Sequence, residues 1–199
     1  MKEFIIFLLI FLIIFGISVF VFNGRFIYTQ VKYSLIGNPP ITSISAQADL
    51  IKEYLLPERL IIPALGIEAP VVISRVNTET ALQKDLENGV IFLPGSSRLG
   101  ENGTMVIMGH SSAYPWYRGQ YGSIFALLNR LNVNDEIVIL AKNKQYTYRV
   151  LGTEIKAPKD LVFQKQENEP ILYLVSCWPV NTAWKRIVVK TFQVLDNNY

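Results

Sequence analysis

The 199 residues suffice for one domain with a full core and fall short of two ordinary domains plus a membrane segment. Nineteen basic and 16 acidic residues leave a formal charge of +3, with no dense Lys/Arg tract, which argues against nucleic acid as a partner. A single cysteine excludes an internal disulfide.

Phe4 to Phe22 is a run of 19 apolar or small residues, interrupted by Gly16 and Ser18. A bilayer asks for about 20 in a helix. A cleaved signal would have a shorter apolar core and a small-residue cleavage site, whereas this run ends in Val19-Phe20-Val21-Phe22-Asn23. The expectation is one N-terminal transmembrane helix as a retained anchor over residues 1–22. Lys2 before it and Arg25 and Lys32 after it barely discriminate orientation. A short N-terminal anchor usually sends its C-terminal domain outside, so the protein is expected to be single-pass with an extracellular domain.

Residues 23–56 read as a stalk. Asn38-Pro39-Pro40 breaks any helix there, and residues 43–55 could form a short one. From residue 57 to 199 the texture is β-rich. Arg59–Pro63, Ala69–Ser74, Thr104–His110, Glu136–Ala141, Gln145–Leu151, Ile171–Ser176 and Arg186–Val194 read as strands. Along Gln145–Leu151, Tyr146, Tyr148 and Val150 share one face against Thr147 and Arg149, and the short link before them predicts a hairpin. Some eight short strands predict a mainly β fold closed as a barrel, which removes exposed edges. Helices are predicted over Asn77–Asn88 and over Ser123–Leu131, the second with Ile124, Leu127, Leu128 and Leu131 on a core-facing stripe.

One His and one Cys stand in the chain, each closing a predicted strand: His110 after Gly109, and Cys177 after Ser176. A Cys/His pair is the minimum for thiol-based acyl transfer, in which a thiolate attacks a carbonyl and an imidazole carries the proton. Side chains at strand ends stand at the rim of a barrel. Nine residues beyond the cysteine, Arg186 opens the last strand, and its guanidinium could support a developing oxyanion at the same rim. By themselves a lone Cys and a lone His are more often unrelated, and a lone Cys is more often a small buried hydrophobe. Zinc asks for three or four clustered ligands, so no metal site is expected.

Gly109-His110-Ser111, Leu174-Val175-Ser176-Cys177 and Arg186 together resemble the signature of the sortase family. The resemblance extends in order over about residues 59–194. Leu60-Ile61-Ile62-Pro63 with Pro70-Val71 is similar to the family's first strand pair, and Tyr146-Thr147-Tyr148-Arg149-Val150 to a later strand. It implies an eight-stranded β-barrel and a cysteine transpeptidase acting at the outer membrane face without a cofactor. Such an enzyme cleaves an LPXTG-like sorting signal of surface proteins and holds the acyl group as a thioester. It passes that group to an amine on a peptidoglycan precursor or a pilin lysine. By position, the resemblance makes Cys177 the nucleophile, His110 the acid/base and Arg186 the transition-state support.

The nine-residue Cys-to-Arg spacing is closer to class C and class D members than to class A. Ser176 stands where many members have Thr. No Asp-Pro-Trp or Asp-Pro-Phe occurs, so the sequence gives no support for the lid of the pilin-polymerising enzymes, and a housekeeping and a pilus role both stay open. Calcium has no acidic cluster to hold it; Glu167 and Glu169 read as solvated loop charges. Trp178 and Trp184 could wall a peptide groove or simply pack. Ser111, Ser112 and Ser176 could contribute hydrogen bonds at the site, and Ala157–Pro170 could shape the choice of signal. The competing readings are a cysteine peptidase that only hydrolyses, and a tethered binding barrel with an inert thiol.

Overall fold

The computed structural model describes residues 2–36 and 58–194, apart from 77, 98, 100, 115–116, 118, 142–143 and 164–167. Helix α1 spans Lys2–Ile36 and so runs past the expected anchor boundary into the segment read as a stalk. The possible helix over 43–55 and the Asn-Pro-Pro break lie outside the described residues, as does Glu167. Among the described residues no helix is long and apolar enough to cross a membrane. The expected transmembrane helix is therefore not established by the fold.

The rest is a closed barrel of eight strands: β1 Arg59–Ile62, β2 Ile67–Ile73, β3 Val90–Phe92, β4 Gly103–Met108, β5 Glu136–Ala141, β6 Lys144–Lys156, β7 Pro170–Trp178 and β8 Lys185–Val194. Around the wall the order is β1-β2-β3-β4-β7-β8-β6-β5, and β5 closes back onto β1. Most neighbours are antiparallel; β2–β3 and β4–β7 are parallel. Alternation decides what fills the barrel. Met105 and Ile107 of β4, Leu172 and Leu174 of β7, and Ile187 and Val189 of β8 join Leu60, Ile139 and Tyr148 in the interior. The intervening residues Val106, Val175 and Val188 form a second, smaller cluster on the outside of the wall. That outer cluster is buried because Leu93, Leu161 and Phe163 pack over it. The predicted β5–β6 hairpin forms, and Tyr148 and Val150 face inward as their spacing requires.

Three expectations change. The first predicted helix is shorter, as α2 over Glu79–Leu86. The second does not form an α-helix. Residues 123–131 run through turns into a single 3-10 turn over Leu128–Arg130. The amide of Phe125 is taken by the carbonyl of His110 at 2.8 Å, and the amides of Ile124, Ala126 and Leu128 reach back three residues, not four. The stripe still buries Leu127, Leu128 and Leu131. The third change is β3, a three-residue strand without visible alternation, which the sequence alone does not mark. It lies so close to β2 that a Cβ at Gly89 would sit 2.2 Å from the Pro70 carbonyl oxygen.

Candidate active site

The parallel β4–β7 register ends on Met108 opposite Val175, both outside the wall. The Gly109 amide donates to the Val175 carbonyl at 3.1 Å, so the alignment continues past the end of β4. The next outward positions are His110 and Cys177. Across the other edge of β7, Cys177 is the register partner of Arg186 on β8. Partners directly opposite in an antiparallel pair project to the same side. One further strand across, Arg186 is opposite Lys156 of β6. Lys156, Arg186 and Cys177 thus form a row across β6, β8 and β7, and His110, two residues past the end of β4, extends its line. The row lies near the strand ends but on the outer face of the wall, where the sequence pattern suggested the rim.

The backbone under His110 is fixed from three sides. Buried Ser176 points into the wall and donates its hydroxyl to the Gly109 carbonyl at 2.7 Å. Phe125 caps the His110 carbonyl, and its ring fills the space over Gly109; a Cβ there would lie 2.6 Å from that ring. The Tyr117 ring meets the imidazole edge-on, with centroids 5.4 Å apart and planes at 82°. Burial holds the His110 pKa below its ordinary 6.5, so the imidazole is neutral at pH 7. Its Nε2 is buried and has no hydrogen-bond partner among the described residues.

Arg186 donates from Nη1 to the carbonyls of Ala183 and Lys185, at 3.0 and 2.9 Å. A guanidinium has five N–H groups, so donors remain on Nη2 and Nε. Lys156 pairs with Glu154 at 2.9 Å, and that hydrogen bond raises its pKa. Cys177 is half-buried, reachable yet shielded.

The remaining sequence candidates separate. Ser176 and Ser111 are each 1 % exposed. The Ser112 hydroxyl accepts from the Asn181 amide at 3.0 Å, tying the loop after β4 to the β7–β8 loop. Trp178 packs against the interior core, whereas Trp184 is 77 % exposed on that second loop. Lys156 and Tyr117 carry no mark in the sequence. Register alone reveals Lys156; Tyr117 sits in a loop where no periodicity singles it out.

Cavity size does not mark this site. A cavity of about 540 Å³ opens at the opposite barrel end, between Glu58, Ser74, Phe92, Leu99 and Ala141. A smaller one of about 200 Å³, lined by Leu161, Phe163, Tyr173 and Val188 with Lys156 and Glu154, adjoins the row on the outer face. Among the described residues, no three His, Cys, Asp or Glu side chains are grouped to hold a metal.

The sortase-domain family model matches residues 60–194, the whole barrel from β1 to β8. The chain belongs to the sortase family. Sortase D of Bacillus subtilis (strain 168) is 28 % identical over 132 residues, 64 % of this chain; the match spans 59 % of that relative. A class D relative agrees with the class C/D reading of the Cys-to-Arg spacing. Among solved structures, Streptococcus agalactiae Sortase C1 superposes with a TM-score of 0.60 at 20 % identity, covering 88 % of this chain and 87 % of its own. A Clostridium perfringens Sortase D5 transpeptidase gives 0.57 at 19 %, covering 76 % and 89 %. At such identities these two speak for the sortase fold alone.

Proposed function

We propose that the protein is a cysteine transpeptidase in which Cys177, His110 and Arg186 carry the reaction. The observation that carries this reading is the pairing of Cys177 with Arg186 across β7 and β8, with His110 following the end of the adjoining strand β4. The Cys177 thiol passes its proton to the neutral His110 imidazole as its sulfur attacks the carbonyl at the scissile bond of a sorting-signal peptide, and Arg186 donors stabilise the oxyanion. The C–N bond breaks as His110 hands a proton to the departing amine, leaving a Cys177 thioester. An acceptor amine, on the cell wall or another surface protein, then attacks that thioester. His110 removes its proton and returns it to the Cys177 sulfur, restoring the thiol and the neutral imidazole as the new amide forms. No step asks for a cofactor.

Trp184, exposed beside Arg186, is suited to wall the groove that receives the peptide. For α1 we propose a membrane tether holding the barrel outside the cell. Phe4, Phe7, Phe11 and Ile14 project exposed apolar side chains, which lipid accommodates and water does not.

The test is turnover of a fluorogenic LPXTG-type peptide library by the full chain, with and without an amine acceptor. Amine-dependent product, lost in Cys177→Ala, supports transpeptidation. Cleavage indifferent to the amine makes the protein a hydrolase. No turnover with a folded-state thiol that resists alkylation leaves a barrel with an inert cysteine.

A further inference from the structure

We propose that Tyr117 is a positioning residue that holds the His110 imidazole in its working orientation, an inference resting on the assignment of His110 as acid/base. Three independent features meet at this tyrosine. Its ring closes edge-on against His110. Its hydroxyl donates at 2.8 Å to the carbonyl of Leu86, the last residue of α2, 31 positions earlier in the chain. And its ring lies in a cradle made by two glycines. A Cβ at Gly119 would sit 2.5 Å from the Tyr117 hydroxyl oxygen, and one at Gly122 would sit 2.9 Å from the ring.

The backbone bonds from Ser176, Val175 and Phe125 fix where His110 begins but not how its ring is turned. An imidazole with an uncommitted Nε2 has no hydrogen bond there to set its side-chain torsions. The aromatic edge takes that part by packing, and the Leu86 bond braces it against a separate element of the fold. Tyr117 thereby packs against one side of the ring.

The experiment compares the wild-type full chain, in detergent micelles, with Tyr117→Ala, Tyr117→Phe and Gly119→Ala. His110 is the sole histidine, so ring-¹³C relaxation reads its order without ambiguity. In Tyr117→Ala the imidazole should become mobile while kcat falls by roughly 10–100-fold, the scale for misplacing a catalytic group by about 1 Å. KM should stay within about twofold, as for a residue outside the peptide's binding contacts. Tyr117→Phe keeps the ring and should fall between wild type and Tyr117→Ala in both readouts. Gly119→Ala pushes the ring out of its cradle and should resemble Tyr117→Ala, which also decides the matter if that variant does not fold. An imidazole that stays ordered in the folded variants overturns the proposal whatever the turnover. So does a mobile imidazole with unchanged kcat. If wild type shows no turnover at all, the proposed function fails, while ring order still decides the role of Tyr117.

Discussion

Cys177 on β7 and Arg186 on β8 are register partners, opposite each other in an antiparallel pair. This places a thiol and a guanidinium on one face with no intervening residue, and it makes their spacing a property of the sheet, not of a loop. Arg186→Ala should lower kcat by about 10²–10³-fold, the usual cost of removing one donor aimed at an oxyanion. Arg186→Lys should recover part of that at most, because an ammonium lacks the planar fork. Steady-state kinetics on a cleaved peptide measures both.

His110 is buried with its pKa held below 6.5. The folded state therefore binds its proton less readily than the unfolded state does. This contribution to stability is complete above pH 6.5 and diminishes as pH falls from there toward the folded-state value, below which it is constant. Thermal unfolding between pH 7.5 and 5 should show Tm falling with pH, and the slope should flatten in His110→Gln. With one histidine in the chain, the difference between the two curves belongs to this residue.

Ser176 acts inside the wall, joining β7 to the end of β4 through the Gly109 carbonyl. Ser176→Ala should destabilise the fold by about 1–3 kcal/mol, the cost of a buried acceptor left without its donor. Ser176→Thr retains the hydroxyl and should restore most of that. Urea midpoints measure the difference.

A Cβ at Gly109 would meet the Phe125 ring at 2.6 Å. Gly109→Ala should therefore cost about 1–3 kcal/mol through overpacking, since the buried ring has little room to yield. It should also slow turnover by shifting the residue beside His110. Parallel denaturation and kinetics on one preparation test both effects.

The barrel was legible in the sequence because short strand-like runs follow one another between turn signals, and one of them alternates: Tyr146, Tyr148 and Val150 declare an inner face. The three residues proposed for the site stand out in the sequence because each closes or opens a predicted strand and each belongs to a resemblance that runs the length of the domain. β3 was not legible, since three apolar residues carry no period. The failed helix at 123–131 shows a tertiary bond, His110 carbonyl to Phe125 amide, overriding a stripe that suits a helix. Lys156 emerges because β6 continues past the alternating stretch, through the irregularity between Val150 and Gly152, to pair with Arg186. Pairing across strands is a property of three dimensions, and one chain's pattern does not carry it.

The central claim, an acyl group carried on Cys177, is tested most directly by intact mass spectrometry. Full-length protein is mixed with a cleavable sorting-signal peptide and quenched in acid. The account predicts an added mass equal to the peptide's acyl portion, located on Cys177 and absent from Cys177→Ala. That mass should be discharged to a new amide when an amine is added. An added mass elsewhere, or cleavage of the peptide by the Cys177→Ala variant, would contradict it.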